Sequence, residues 1–363
     1  MTDRPETAFV TGFPRLLARG VVQRCLNRGK KNRAWMFVDT AHLEAAEAFV
    51  AELPAKQRPR VRLFHGHLTD VDLGLPGAEV TELLDQVTLV FHAAHEDEGA
   101  PRSLPRTNVR RLHAILDLAR DMKRLRRVAV FSTAFVSGDR SGVIHEEDLD
   151  RGQRLRTPFE RSMFAVEQLA RLAMPRLPIT VLRPAATIGH SRTGESLGLT
   201  DGPNYLVSLM IRLPAEVPFL LPGSGVVPFN IVPIDYVVQA AWELATRPES
   251  AGRTFHLTDP NPVSTRQAFD LLSHLVNRSA PFAGGFASRM LRQAARLGRL
   301  DRLAPQSVAL LEDLTTNVTY SCAGTLELLA DTDVACPPFE VYADALVAWM
   351  AAYERAARQE AAS

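Results

Sequence analysis

Residues 8–18 have the sequence AFVTGFPRLLA, which is a short apolar run, a glycine and the start of a helical pattern. The run from Ala8 to Thr11 predicts a buried strand, and apolar residues then recur at helical spacing as far as Leu26. A glycine between the two suits a tight turn, because it has no side chain to obstruct the backbone. The segment predicts the opening strand, turn and helix of an α/β fold.

The same alternation continues to about residue 190. Further apolar runs predict strands at 35–38, 61–64, 88–91, 128–131 and 179–182, and helical spacing predicts helices at 43–51, 80–85, 109–122 and 159–173. Strands that are apolar throughout are buried on both faces, as in parallel sheets. Because helices connect them, the crossovers are right-handed. The sequence therefore predicts an α/β protein with a Rossmann-type, doubly wound parallel sheet.

The pattern changes after residue 187, where glycine and proline interrupt the chain. A helix at 234–246 and a strand at 254–257 are predicted next, followed by helices at 265–276, 286–297, 307–314 and 341–358. We predict a Rossmann-like dinucleotide-binding domain at 1–190, with 230–260 returning to its sheet. Residues 191–229 and 261–363 are predicted to form a smaller, mostly helical substrate or cap domain over the carboxyl ends of the strands, where open α/β sheets bind ligands.

Composition excludes several classes of protein. The formal net charge is +1, which gives no general attraction to nucleic acid. Cys25, Cys322 and Cys336 are too widely spaced for a disulfide framework or a metal motif. No apolar stretch reaches the roughly 18 residues of a membrane span, and the first residues lack a secretory signal. We therefore expect a cytoplasmic protein without a transmembrane segment.

Short segments in a fixed order carry a resemblance to a known family. They are TGFPRLLA (11–18), HAA (92–94), STAFVSGD (132–139), LRP (182–184) with GHSRTGE (189–195), and FNIVPIDYV (229–237). Together they resemble the extended short-chain dehydrogenases/reductases, and within them the branch of fatty-acyl and thioester reductases. The resemblance runs from residue 8 to about residue 260 and implies a Rossmann fold that binds NAD or NADP.

The resemblance assigns the cofactor to residues at the strand ends, namely Gly12, Phe13, Pro14, Arg15, Asp39, Ala93, Ala94 and Pro184. In the family's Thr-Gly-x-x-Gly-x-x-Gly turn, Arg15 and Ala18 occupy the second and third glycine positions. Arg15 either crowds the pyrophosphate or pairs with a phosphate. Asp39 either accepts the ribose hydroxyls or caps a surface turn. His67 occupies the position of an aspartate that meets adenine in the family. Because the glycine turn also departs from the family's pattern at Arg15, we expect weak or absent dinucleotide binding.

The helix that begins near Thr157 is expected to carry the family's chemistry. Thr157, Pro158 and Glu160 form a helix-start pattern of N-cap, first-turn proline and capping-box glutamate. The family's Tyr-x-x-x-Lys falls on Phe159 and Met163, which have no ionisable hydroxyl and no cationic donor. The resemblance implies that Thr133 is the hydroxyl that contacts a substrate oxygen. The proton-transfer device of this family, typically a factor of about 10²–10⁴ in rate, is therefore predicted to be lost.

Four residues are candidates for substrate contact: His95, Ser132, His190 and Arg192. His190 and Arg192 equally suit a turn held by its own polar side chains. The loop from His92 to Glu98 combines histidine with acidic residues, which suits a metal, a base or a solvated acidic loop. A metal site normally draws ligands from several segments, and no second His/Cys cluster accompanies this loop. We therefore predict no metal.

Two surfaces are candidates for interaction. The segment from Ser288 to Arg302 has an apolar stripe bordered by arginines, which suits a membrane surface, a partner or its own domain. The resemblance implies that a homodimer would form through the helices at 109–122 and 159–173.

We hypothesise a catalytically degenerate protein that binds an acyl, polyketide or lipid-like ligand or supports a partner enzyme. The alternatives are an active NAD(P)-dependent reductase with His95 or a bound water as the acid, and a non-redox cyclase or lyase.

Overall fold

The computed structural model describes residues 5–96, 103–196, 202–212, 221, 223–277, 281 and 314–360. The strands are β1 (Thr7–Thr11), β2 (Arg33–Asp39), β3 (Val61–Gly66), β4 (Leu89–His92), β5 (Arg127–Phe131), β6 (Gly142–Ile144), β7 (Ile179–Pro184), β8 (Ala186–Ile188), β9 (Ile231–Pro233), β10 (Thr254–Leu257) and β11 (Val318–Tyr320). The helices are α1 (Leu16–Arg28), α2 (Leu43–Glu52), α3 (Gly77–Gln86), α4 (Leu104–Asp121), α5 (Pro158–Ala173), α6 (Gly202–Arg212), α7 (Ile234–Thr246), α8 (Thr265–Leu275), α9 (Ala323–Leu329) and α10 (Phe339–Glu360).

The main sheet confirms the predicted Rossmann-type architecture. Its strand order is β10-β7-β5-β4-β1-β2-β3, and neighbouring strands are parallel throughout. The order reverses between β1 and β4, so the loops that follow these two strands diverge to opposite faces of the sheet. This topological switch opens a crevice at the carboxyl edge, which is where folds of this kind hold their ligands.

Apolar layers cover both faces of the sheet, which explains why its strands are apolar throughout. On one face, α1 and α7 pack against residues such as Val10, Phe91 and Leu182. On the other face, α4 and α5 cover Phe9, Val130 and Val181. Alternate strand residues therefore face two separate cores.

An ion-pair cluster joins α1 to α7. The Glu243 carboxylate is buried and lies 3.0 Å from Arg24 Nη2 and 2.9 Å from Arg28 Nη2. Arg24 and Arg28 are one helical turn apart, so a single acid reaches both. The cluster fixes α7 against the helix that follows the first turn.

The later part of the chain adds a third apolar cluster, to which α6, α8 and α10 contribute. The short strand β11 pairs in parallel with β6, and Gly324 N and Thr325 Oγ1 donate to the Glu146 carboxylate at 2.8 Å. These contacts attach the late segment to β6 and to the loop that follows β6. The proposed boundaries between two domains stay a prediction.

Three predicted segments extend beyond the described residues. The predicted helix at 286–297, residues 307–313 of the next predicted helix and the basic segment from Ser288 to Arg302 lie outside them. Among the described helices, none combines the length and the apolar character that a membrane crossing requires. Cys25, Cys322 and Cys336 are present as free thiols.

Substituting Gly12 tests the turn on which this architecture is built. Gly12 has φ +106°, and a Cβ there would lie 2.6 Å from the Ala93 carbonyl oxygen. Gly142 also has positive φ, at +83°, but nothing lies within 4 Å of its Cβ position. We expect Gly12→Ala to lower the unfolding free energy by roughly 2 kcal/mol more than Gly142→Ala, because only Gly12 adds a backbone clash. Urea denaturation of both variants measures the difference, and equal losses would contradict this packing.

Candidate active site

The crevice between the β1–α1 turn and the loop after β4 brings together much of the predicted cofactor site. The Gly12 backbone lies directly against Ala93 and Ala94, both of which are buried. Below them, Thr11 Oγ1 and His92 Nδ1 are 3.0 Å apart and link β1 to β4. Burial, followed by the nearby His95 and Arg111, lowers the pKa of His92 from 6.5 to about 3. His92 is therefore a neutral residue that joins the two strands.

Arg15 crosses from one side of this crevice to the other. Its backbone N–H donates to Gly12 O at 3.1 Å, and its Nη2 donates to His95 O at 2.9 Å. The guanidinium thus connects the first turn to the loop after β4. This position is compatible with either role that the sequence left open, because the guanidinium lies beside the first turn and is a phosphate-binding group.

The next two residues of the turn contribute to packing. Phe13 is largely buried, and its ring centroid lies 5.9 Å from that of Phe49 in the core on the α1 side. The Phe13–Pro14 peptide bond is cis. The side chain of Phe13 therefore belongs to the apolar layer beneath the crevice, so what this residue offers a cofactor is backbone.

Asp39 at the end of β2 already has two partners. Its Oδ1 accepts from Ala41 N at 3.1 Å, and its Oδ2 lies 3.1 Å from His67 Nδ1. Burial alone would raise the pKa of Asp39, but these two hydrogen bonds and the charge of His67 outweigh it and lower the pKa. Asp39 is partly exposed and His67 is exposed, so this pair lies at the protein surface.

The start of α5 is fixed by capping contacts. Thr157 Oγ1 accepts from Glu160 N at 3.0 Å, as the sequence predicted. The Glu160 carboxylate accepts from Arg156 N at 2.6 Å, where a capping box would have used the N-cap residue's own N–H. The Glu160 carboxylate therefore bonds to the residue before the N-cap, and Pro158 still lies in the first turn of the helix.

Phe159 and Met163, which the resemblance places at the family's tyrosine and lysine positions, lie in two different environments. The Phe159 ring centroid lies 5.6 Å from that of His95, so this side chain borders the crevice. Met163 is fully buried in the apolar layer beneath α4 and α5. A cation at position 163 would have no water around it, and burial in such a layer strongly disfavours the charged form of lysine.

The two hydroxyls after β5 have different surroundings. Thr133 Oγ1 accepts from Phe135 N at 3.3 Å, which leaves the hydroxyl proton free to be donated elsewhere. Ser132 Oγ donates to the buried Glu167 carboxylate at 3.0 Å. The contact directs the Ser132 hydroxyl into the protein.

The structure adds Asn108, which the motif comparison did not identify. Asn108 Oδ1 accepts from Glu96 N at 2.8 Å, and its Nδ2 donates to Glu96 O at 3.0 Å and to Ser162 Oγ at 2.8 Å. One side-chain amide therefore holds the loop that carries His95 against α5. In the sequence, Asn108 stands out as a polar residue on the core-facing stripe of the α4 helix, and a buried amide needs hydrogen-bond partners.

His190 and Arg192 lie in a loop closed by its own hydrogen bonds. His190 N donates to Glu195 O at 2.9 Å, and Arg192 N donates to His190 Nδ1 at 3.2 Å. Ser191 Oγ donates to Asp235 at 2.7 Å, which anchors the loop to the start of α7. Within the described residues, no hydrogen bond joins this loop to Thr133 or His95. The arrangement supports a self-stabilised turn, with the Arg192 side chain exposed.

Pro184 ends β7 and lies opposite Leu257 of β10, on the far side of β5 from the Gly12 turn. In the part of the chain that the structure describes, no group of three or more potential ligands is placed to hold a metal ion. The acidic residues Asp97 and Glu98 of the predicted loop lie outside that part.

Comparison with known proteins relates this chain to a family of NAD-binding domains. The family profile described as male sterility protein matches residues 15–241. The aldehyde reductase lnbA of Aspergillus flavus is 29% identical over 236 residues, which cover 59% of this chain and 22% of that protein. A second aldehyde reductase of the same fungus, lnaA, is 27% identical and covers 74% of this chain. The chain spans 26% or less of the length of either curated relative.

A solved structure has a closely similar fold. The terminal R domain from the myxalamid PKS-NRPS biosynthetic pathway superposes with a TM-score of 0.80 at 21% identity, covering 98% of this chain and 92% of that domain. At this level of identity, the likeness establishes the fold.

The buried histidines predict how stability depends on pH. Burial lowers the pKa of His92 and of His256 in β10 from 6.5 to about 3. In the unfolded chain both take up a proton near their ordinary pKa, so their contribution to stability is complete above about pH 6.5 and declines as the pH falls toward 3. Between about pH 6 and 5, we expect the unfolding free energy to fall by up to roughly 3 kcal/mol, and His92→Gln to halve that slope.

Denaturant titration at a series of pH values measures this slope. The matched control is His113→Gln, because His113 is exposed and pairs with Asp117 on the surface of α4. The control should keep the full slope. An unchanged slope in His92→Gln would contradict a neutral, buried His92.

Substitution of Arg15 separates its two possible roles. If the guanidinium crowds the pyrophosphate path, Arg15→Gly should tighten NAD or NADP binding by about tenfold or more, and Arg15→Lys should change little. If it pairs with phosphate, Arg15→Gly should bind more weakly than the unmodified protein, with Arg15→Lys in between. Titration calorimetry with NAD(H) and NADP(H) measures the affinities, and we expect the first pattern.

Proposed function

We propose, from the premise that this chain belongs to the male sterility protein family of the extended short-chain dehydrogenases/reductases, that it binds an acyl ligand without the family's hydride chemistry. The observation that carries the proposal is the pair Phe159 and Met163 at the tyrosine and lysine positions. Neither side chain can give or take a proton. Met163 is also buried in the apolar layer, whereas the family's lysine has to reach a nicotinamide ribose.

The fit of a dinucleotide to this crevice is incomplete. Asp39 offers a carboxylate at the expected ribose end, but both of its oxygens already accept hydrogen bonds, from Ala41 N–H and from His67. The pyrophosphate end is narrowed by the Arg15 guanidinium, which already donates to His95 O. These contacts support weak binding of NAD or NADP, and we derive no reaction step through either cofactor.

The ligand class follows from the relatives and from the hydroxyl that this chain retains. The matched relatives are named as aldehyde reductases, and the similar solved domain comes from a PKS-NRPS pathway. Thr133 keeps a donor for a carbonyl oxygen at the end of β5. We therefore assign an acyl or polyketide-like thioester to the crevice, held through its carbonyl, with a partner enzyme as the source or acceptor of the acyl group.

A second candidate is an active reductase in which His95 supplies the proton. The observation in its favour is the His95 ring, whose centroid lies 5.6 Å from that of Phe159, the residue at the tyrosine position. Imidazole titrates near neutral pH and is the commonest general acid in enzymes. This candidate requires hydride transfer to proceed at an ordinary rate without the lysine.

A turnover assay distinguishes the two candidates. We expect the purified protein to reduce aldehydes and acyl thioesters with NAD(P)H far more slowly than roughly 1 s⁻¹, the low end of ordinary enzyme rates. Phe159→Tyr with Met163→Lys should give slow activity at most and should lower stability by a few kcal/mol, because the new lysine is buried. Turnover at about 1 s⁻¹ or more that His95→Gln abolishes would establish the reductase instead.

Ligand binding is tested with octanoyl-N-acetylcysteamine, a soluble acyl thioester. We expect calorimetric binding that Thr133→Val weakens about tenfold, which corresponds to the loss of one hydrogen bond. Thr133→Ser, which keeps the hydroxyl, should retain most of the affinity. An affinity independent of the residue at position 133 would exclude this mode of binding.

A further inference from the structure

A polar network lies buried behind Thr133, although neither proposed activity uses it. Its centre is the Glu167 carboxylate on α5, which is fully buried. Ser132 Oγ donates to Oε2 at 3.0 Å, and Arg183 of β7 donates from Nε to Oε2 at 2.9 Å and from Nη2 to Oε1 at 2.7 Å. Arg171 Nε adds a bond to Oε1 at 2.9 Å. The carboxylate is therefore held in one orientation by bonds to both oxygens.

Arg183 is held just as firmly on its other side. Its Nη2 donates to Asp148 O at 2.6 Å, and its Nη1 lies 3.1 Å from His256 Nε2. His256 Nδ1 lies 2.8 Å from Ser321 O, and a carbonyl can only accept. Nδ1 therefore carries the proton, and Nε2 accepts from Arg183. The network thus joins β5, α5, β7 and β10 to the segment after β11.

We propose that Glu167 and Arg183 are positioning residues that act through Ser132 to aim the Thr133 hydroxyl at the carbonyl of a bound acyl group. This inference rests on the proposed function and adds the means by which the retained hydroxyl is held. Ser132 is fixed by two bonds, one from its side chain to Glu167 and one from its N–H to Leu182 O at 2.8 Å. Thr133 is the next residue, and its oxygen accepts from Phe135 N–H. Thr133 therefore follows directly on a residue that the network holds in place, and its hydroxyl proton is left to donate to a ligand.

Stability alone is a poor explanation for such a network. Removing a carboxylate and a guanidinium from water carries a large desolvation penalty, and well-packed apolar residues often stabilise a core as well or better. A retained ion pair of this kind is best explained where it fixes one geometry among several. Here that geometry belongs to the residue next to Thr133, on the strand end that borders the crevice.

The test compares Ser132→Ala, Glu167→Gln and their combination with a matched control. The control is Glu243→Gln, which removes another buried carboxylate, on α7, whose arginine partners are Arg24 and Arg28 and for which, among the described residues, no hydrogen bond to the Ser132–Glu167 network is found. Affinity for octanoyl-N-acetylcysteamine is measured by calorimetry, and the melting temperature by scanning calorimetry. We expect both single variants to weaken binding about fivefold and the double variant to be no weaker than the worse single, because the two act as one unit. Glu243→Gln should lower the melting temperature and leave the affinity unchanged.

Glu167→Gln could fail to fold because it disturbs the Glu167–Arg183 ion pair. Ser132→Ala keeps that pair intact and therefore still tests the inference in a folded protein. A second readout is independent of ligand, namely the methyl NMR signal of Thr133. It should shift in Ser132→Ala and Glu167→Gln, and should not shift in Glu243→Gln. Unchanged affinity in both single variants, or equal methyl shifts in Glu167→Gln and Glu243→Gln, would overturn the inference. If the unmodified protein binds no thioester, the proposed function fails, and the methyl shifts alone decide the positioning role.

Discussion

The Gly12 backbone passes so close to Ala93 that one added carbon would lie 2.6 Å from the Ala93 carbonyl oxygen. This close approach sets β1 beside β4 at the point where the order of the sheet reverses. Because parallel strands end at one edge, the contact also sets where the two following loops diverge and how wide the crevice is. The Thr11–His92 bond beneath it and the Arg15–His95 bond above it both depend on this spacing.

The sequence predicts the main sheet well and its polar connections poorly, for a physical reason. Strands buried on both faces are apolar throughout, so a run such as Val128–Phe131 is recognisable without any knowledge of its neighbours. The Ser132–Glu167–Arg183 network joins residues from separate elements, and only the folded topology reveals that they meet. Asn108 is a similar case, because one amide serves a backbone segment and a second helix.

In the candidate site too, the sequence predicts some features well and others poorly. Motif spacing predicts roles for Phe159, Met163 and Thr133, because the family's motifs hold fixed places on α5 and directly after β5. It did not distinguish Ser132 from Thr133 in orientation, since adjacent residues leaving a strand point in different directions. Nor did it show that Glu160 would bond to Arg156 N–H, which depends on how the chain enters α5. Helix α5 thus has its capping threonine and its buried Glu167 contacts although Phe159 and Met163 are apolar, so these scaffold contacts do not need an ionisable residue at either position.

The pairing of β6 with β11 has a consequence for the order of events during synthesis. Gly142 lies beside Val318, and Ser137 Oγ lies 2.9 Å from Tyr320 Oη, so the loop after Thr133 is completed by residues almost two hundred positions later. A ribosome that has released the whole main sheet has still to deliver residues 318–325. Until they emerge, the segment from Ser137 to Ile144 lacks the partner strand and the tyrosine hydroxyl that it contacts in the folded protein.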